Sequence, residues 1–234
     1  MIIGKPIAPS PALPSSATKP LPMPPTRNAI LICFAVKAES QYLRKLRPAL
    51  SLLHTGIGKQ NAEATLQSYL NRSQPELVVT SGFAGGLHPE LKSSEVLFDR
   101  TGTHDIFDRL TRLPFKEGTF HCSTRIATTA EEKEALWRIT RCDAIDMESV
   151  HIHRTTQAHQ IPCLTLRAIS DTAHENLPLD FNALMTPQMT INHLKLFGAL
   201  CREPTKIPEL IRFNRSITKT AQTLATAISQ LIED

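Results

Sequence analysis

From Ala29 to Val36 the chain is an unbroken apolar run, AILICFAV, and the polar, helix-forming segment KAESQYLRKL follows it. A short apolar run without alternation predicts a strand buried on both faces, as in a parallel sheet. The same sequence of strand and amphipathic segment recurs down the chain. Ser51 to His54 leads through Thr55-Gly56-Ile57-Gly58-Lys59 into a predicted helix over 60–70, with Ala62, Leu66 and Leu70 on one side. Leu77 to Thr80 is a third strand and runs into the glycine-rich turn Ser81-Gly82-Phe83-Ala84-Gly85-Gly86-Leu87. His121 to Thr129 has strand-like β-branched content and precedes a helix over 131–140. Asp143 to Ala173 reads as a loop, a helix opened by Asp146, Met147 and Glu148, a turn, and a buried strand from Ile161 to Ile169. Residues 174–215 are rich in proline and apolar side chains without clear alternation, which predicts short helices and loops that cover one side of the fold. Ile217, Ala221, Leu224, Ala225, Ile228 and Leu231 then mark a final helix over 216–232. Strands alternating with helices predict an α/β fold, and 234 residues suit one sizeable core.

Composition narrows the class. Residues 1–27 contain Pro6, Pro9, Pro11, Pro14, Pro20, Pro22, Pro24 and Pro25, a density that no helix or central strand tolerates, so a disordered leader is expected there. That leader has no apolar stretch of secretory length, and the chain has no apolar run of bilayer-spanning length, so a cytoplasmic enzyme is expected. The net charge of +4 comes without a basic run interleaved with aromatics, which argues against a nucleic-acid surface. Cys33, Cys122, Cys142, Cys163 and Cys201 are scattered and read as reduced thiols. His151, His153 and His159 do not share a helix face, so they are assigned to packing and surface, with no metal expected.

Candidate chemistry lies at the carboxyl ends of the predicted strands, where open α/β sheets bind ligands. Glu39 follows the first strand. Its position is compatible with simple stabilisation of a helix N-terminus and equally with a catalytic carboxylate. Arg167, Ser170 and Asp171 end the strand after the Met147-Glu148 pair. Met147-Glu148 followed by Arg167-Ala168-Ile169-Ser170-Asp171, together with TGIGK and SGFAGGL, resembles the purine-nucleoside phosphorylase and nucleosidase superfamily. Within it, the motifs are most similar to the methylthioadenosine/S-adenosylhomocysteine nucleosidase type. The resemblance covers roughly residues 28–180, and it implies a single-domain, three-layer α/β/α nucleoside phosphorylase-like fold over 28–234, with a central mixed, mostly parallel sheet.

The resemblance also implies an activity, cleavage of the N-glycosidic bond of a 5′-substituted purine nucleoside. Asp171, oriented by Ser170, is then expected at N7 of the base, Glu148 on the ribose hydroxyls with Met147 packed on the sugar, and Glu39, steered by Arg167, as the base that takes a proton from water. Gly82, Phe83, Ala84, Gly85 and Thr55 are expected around the sugar and the water, and Arg125 and Ile126 around the purine. No cofactor is implied, inorganic phosphate being a co-substrate only for a phosphorylase, and a homodimer is expected. Phosphorylase members carry an arginine two residues before the first glycine of the glycine-rich segment and a serine one residue after it, where this chain has Thr80 and Phe83. Loss of a cation and a hydroxyl favours water over phosphate as nucleophile. Thr55, Ser81 or backbone amides of the glycine-rich segment are the candidates to position it. The competing readings are a phosphorylase, including the hopanoid-associated branch, for which the apolar segment 194–200 suits a greasy 5′ group, a nucleoside-binding protein without catalysis, and an α/β domain of unrelated function.

Overall fold

The computed structural model of the protein describes residues 30–233, so the proline-rich leader lies outside the described residues. The strands are β1 (Ile30–Phe34), β2 (Ser51–His54), β3 (Leu77–Gly86), β4 (Val96–Thr101), β5 (Lys116–Glu117), β6 (Phe120–Cys122), β7 (Ala144–Asp146) and β8 (Cys163–Asp171). The helices are α1 (Lys37–Leu46), α2 (Lys59–Leu70), α3 (Phe107–Leu110), α4 (Ala130–Thr140), α5 (Ser149–Ala158), α6 (Phe181–Leu184), α7 (His193–Arg202) and α8 (Ile207–Ile232). All eight strands form one sheet, in the order β2-β1-β3-β8-β4-β5, with β7 added to the far end of β3 and β6 beside β7. The central pairs β1–β2, β1–β3 and β3–β8 are parallel, while β4 on β8 and β7 on β3 are antiparallel. The sheet is therefore mixed and mostly parallel, as expected.

Strand periodicity builds the two faces. Successive side chains alternate across a sheet, so Ile32 and Phe34 of β1, Leu77 and Val79 of β3, and Leu164 and Leu166 of β8 enter one core with Leu43 of α1 and Leu224 and Ile228 of α8. Leu31, Cys33, Val78 and Cys163, one position out of phase, enter the other core with Ala62 and Leu66 of α2 and Ile152 of α5. The strands are buried on both faces, which is why they read as continuous apolar runs.

Three boundaries differ from the sequence reading. The glycine-rich segment is not a turn but the second half of β3, held in parallel register against β8 as far as Gly85 opposite Asp171, with an irregularity after Ala84. Asp146 ends β7, and α5 starts only at Ser149, so Asp146, Met147 and Glu148 form the approach to the helix rather than its first turn. The last helix begins at Ile207, nine residues before the predicted Ser216.

Candidate active site

The register of β3 on β8 assembles the site. Gly82 pairs with Arg167, Phe83 with Ala168, and Gly85 with Asp171, so the two motif segments are neighbours in the sheet although more than eighty residues separate them in the chain. At Gly82 the backbone has φ +149°, and a Cβ there would collide with Oε1 of Glu39 and lie 2.7 Å from Nη1 of Arg167. Glycine at this position leaves the space that both side chains occupy.

Glu39 serves its helix and the site at once. It is the third residue of α1, and its Oε2 accepts the N–H of Val36 at 3.0 Å, capping the helix. Its Oε1 accepts the N–H of Phe83 at 3.0 Å across the sheet. Burial pushes this carboxyl above the usual carboxylate range, against the opposing Arg167 charge and those backbone donors. Glu148 is held by the N–H of Gly58, 2.8 Å from Oε1, at a glycine with φ +81°. Burial likewise raises Glu148, to about 7, although Arg167 and Gly58 act the other way.

Arg167 is 1% exposed and lies among these acids. Its Nε and Nη2 donate to Oδ2 of Asp146 at 2.9 and 2.6 Å, and Nη2 also donates to Oγ1 of Thr80 and lies 3.8 Å from Oε2 of Glu148. Burial alone would lower its pKa, but Asp146, Glu148 and Glu39 together raise it, so the guanidinium stays charged. Arg167 was expected to steer Glu39, and its charge does act on that carboxyl. Its hydrogen bonds go to Asp146 and Thr80, and it reaches Glu39 through charge alone. Asp146 was not assigned a site role from the sequence, yet it anchors this arginine and caps α5 through the N–H and Oγ of Ser149.

Asp171 is held on both oxygens. Oδ2 pairs with Nζ of Lys133 at 2.5 Å, and Oδ1 lies 2.5 Å from Oγ of Ser170, which is also 3.2 Å from the carbonyl of Ala84. A hydroxyl carries one proton. When Asp171 is ionised, Ser170 donates to it, and when Asp171 is protonated it donates to Ser170, which then donates to Ala84. Lys133 is fully buried and gives its remaining protons to the carbonyls of Thr172 and Glu175 at 2.8 and 2.7 Å. It escaped the sequence reading because EEKEALW looks like a solvated helix face. The available signal was spacing: Lys133 shares the inward stripe of α4 with Leu136 and Trp137, three and four residues on.

Glu39, Asp146, Glu148 and Asp171 line one cavity of about 250 Å³, together with Met147, Ser170, Phe83, Ala84, Gly85 and Ile126. Among the described residues no lysine or arginine lines it. Ile57, Phe181, Met185, Phe213 and Ile217 make its apolar wall, and Phe83 borders the space without filling it. An adjoining polar cavity of about 380 Å³ shares Ser170, Asp171, Leu177 and Phe213 and carries Glu209 and Arg212.

The profile of the phosphorylase superfamily matches residues 92–201. A 5′-methylthioadenosine/S-adenosylhomocysteine nucleosidase of Glaesserella parasuis is 24% identical over 169 residues, 58% of this chain and 74% of that protein. An aminodeoxyfutalosine nucleosidase of Campylobacter jejuni is 25% identical over 179 residues, 63% of this chain and 76% of that protein. Among solved structures, futalosine hydrolase of Helicobacter pylori superimposes with a TM-score of 0.63 at 19% identity, over 87% of this chain and 96% of that one. Over residues 92–201 the chain is similar to the phosphorylase superfamily, and it shares the fold of these nucleosidases.

Three residues expected or considered for the site, Arg125, Thr55 and Ser81, do not line the cavity. Arg125 points outward and pairs with Glu132 at 2.7 Å on the surface. Thr55 is buried, and its hydroxyl is taken by the carbonyls of Phe34 and Gly56. The hydroxyl of Ser81 is committed to the carbonyl of Leu166, so neither hydroxyl is free to position water. Ile126 does line the cavity, but its N–H and C=O are both bonded by the carboxamide of Asn182 at 2.9 Å. The superfamily position before Glu148 is filled as expected, by Met147 in the cavity wall. The histidines on α5 and after it bond to Glu63, Thr165 and Gln67.

Proposed function

We propose that this chain hydrolyses the N-glycosidic bond of a 5′-substituted adenosine-type nucleoside, releasing the free base and a ribose derivative. The observation that carries the reading is a cavity that, among the described residues, is lined by four carboxyl groups and by no lysine or arginine, Arg167 and Lys133 lying behind Asp146 and Asp171. Such a lining repels a phosphate dianion and favours a sugar that gains positive charge as its bond to the base breaks. In this reading the oxygen of water bonds to C1′ as the bond from C1′ to the purine nitrogen breaks. Glu39 takes the water proton, Glu148 holds the ribose hydroxyls and faces the developing cation, and Asp171 passes a proton to N7 of the base. Ser170 and Lys133 hold Asp171 in place, and Arg167 keeps Asp146 and Glu148 in position. Glu39, with its pKa raised by burial, is a stronger base than an exposed carboxylate.

The relatives are nucleosidases for 5′-methylthioadenosine, S-adenosylhomocysteine and aminodeoxyfutalosine, which supports an adenosine-type substrate. The apolar wall of Phe181, Met185, Phe213 and Ile217 supports an apolar 5′ substituent. A homodimer remains part of the proposal and is checked by light scattering. The direct test is release of free base from adenosine, inosine, methylthioadenosine, adenosylhomocysteine and futalosine, with and without phosphate. Phosphate-independent release is expected, with Asp171→Asn lowering turnover by about 10²-fold or more while ligand binding stays measurable. Release only with phosphate, binding without release, or full activity of Asp171→Asn would each overturn the reading.

A further inference from the structure

The segment from Ile191 to Ile211 holds an apolar surface that the catalytic reading does not use. Among the described residues, Ile191, Leu194, Phe197, Ile207 and Ile211 make up most of the exposed large hydrophobic side chains, with Leu194 84% and Phe197 68% exposed. No residue of α7 is buried. On α7, Leu194, Phe197 and Cys201 stand at i, i+3 and i+7 and share one outward stripe. Lys195 and Arg202, also seven apart, form the neighbouring stripe, and a Cβ built on Gly198 between them would meet nothing within 4 Å. An apolar ridge with cations on its shoulder is the pattern of a helix lying in the plane of a membrane interface. No helix among the described residues is long and apolar enough to cross a bilayer, so an in-plane mode is the one that fits.

We propose that α7 and the start of α8 dock this protein on an anionic lipid bilayer. Charge selects the occupant. From Thr190 to Arg215, Lys195, Arg202, Lys206, Arg212 and Arg215 outnumber Glu203 and Glu209, although Lys206 is paired with Glu209 at 3.3 Å. That surplus of three positive charges is most of the net +4 of the whole chain. A second copy docked about a two-fold axis would set this basic segment against itself, which is unfavourable. Lipid phosphates meet Lys195 and Arg202 while Leu194 and Phe197 enter the acyl boundary. Ile207 and Ile211 continue the apolar surface on one side of α8, and Phe213 and Ile217, on the other side of the same helix, line the cavity. The bilayer and the cavity therefore share a wall.

Co-sedimentation of the full chain with phosphatidylcholine vesicles, with and without about 30% phosphatidylglycerol, tests this directly. The anionic vesicles should bind the chain, with binding weakened by high salt. Phe197→Asp should reduce binding roughly tenfold or more, and Arg202→Glu roughly tenfold, with melting temperature and base release from a soluble nucleoside unchanged. Absence of vesicle binding, equal binding to neutral vesicles, or retained binding in both variants overturns the proposal. So does light scattering in which Phe197→Asp converts a dimer to a monomer, because the ridge would then be covered by a second copy.

Discussion

Lys133→Met removes the only side-chain cation among the described residues that touches Asp171, and its effect can be estimated from the contacts. The ammonium is fully buried and donates to Oδ2 of Asp171 and to the carbonyls of Thr172 and Glu175. Methionine fills much of the same volume, so loss of packing is small and loss of pairing dominates. Breaking a buried ion pair from one side typically costs about 3–5 kcal/mol. The Asp171 side chain is 10% exposed and borders the cavity, where water can solvate part of the abandoned charge, so the low end, about 3 kcal/mol, applies. For a chain of this size that corresponds to a drop of roughly 6–12 °C in melting temperature. Thermal unfolding followed by circular dichroism measures it. The double variant Lys133→Met/Asp171→Asn removes the uncompensated charge and should be more stable than the sum of the single effects by at least about 1 kcal/mol. A single-variant loss under about 1 kcal/mol, or additive single effects, would refute the view that these two groups form a coupled buried pair.

Glu148, with its pKa raised to about 7, gives two pH signatures. Because the folded state holds this proton more tightly than the unfolded chain, its contribution to stability is full in acid and is lost as pH rises through about 7. Glu148→Gln should flatten that slope in chemical denaturation, and an unchanged slope would mean the carboxyl titrates normally. If ionised Glu148 faces the sugar cation, kcat/KM of the native chain should rise through the same pH range, and a flat profile there would remove Glu148 from that role. Gly82→Ala should drive a methyl into Glu39 and Arg167, lowering turnover by at least about tenfold and stability by about 2 kcal/mol, and native turnover in this variant would show that the space is not needed. Asn182→Ala frees the N–H and C=O of Ile126, and if a purine uses those groups KM for an aminopurine nucleoside should fall. A raised KM would mean instead that Asn182 supports the wall of the occupied pocket.

The central strands β1, β3 and β8 were legible in the sequence because burial on both faces leaves continuous apolar runs, as in ILICF of β1 and CLTLRAI of β8, whereas β4, β5 and β7 were not predicted. The order Met147-Glu148, then Arg167 and Ser170-Asp171, was legible because those residues stand close together in the chain. Glu39 was placed correctly at the end of its strand, and the structure shows that capping α1 and lining the cavity are compatible duties of one carboxylate. Contacts made across the sheet were not legible. Lys133 reaches Asp171 from α4, Asp146 anchors Arg167 from β7, and Asn182 returns to Ile126 from α6, none with a local sequence pattern that names its partner. Local periodicity reports which face of an element is buried, but a hydrogen bond between residues tens of positions apart depends on register and on how the helices pack. Arg125 shows the converse: it stands beside Ile126, and the backbone turns its side chain to solvent. The sequence alone determined the α/β architecture and three of the acids, Glu39, Glu148 and Asp171, and only the tertiary structure added Asp146, brought the four to one cavity and decided which cations hold them there, because those contacts depend on register and packing.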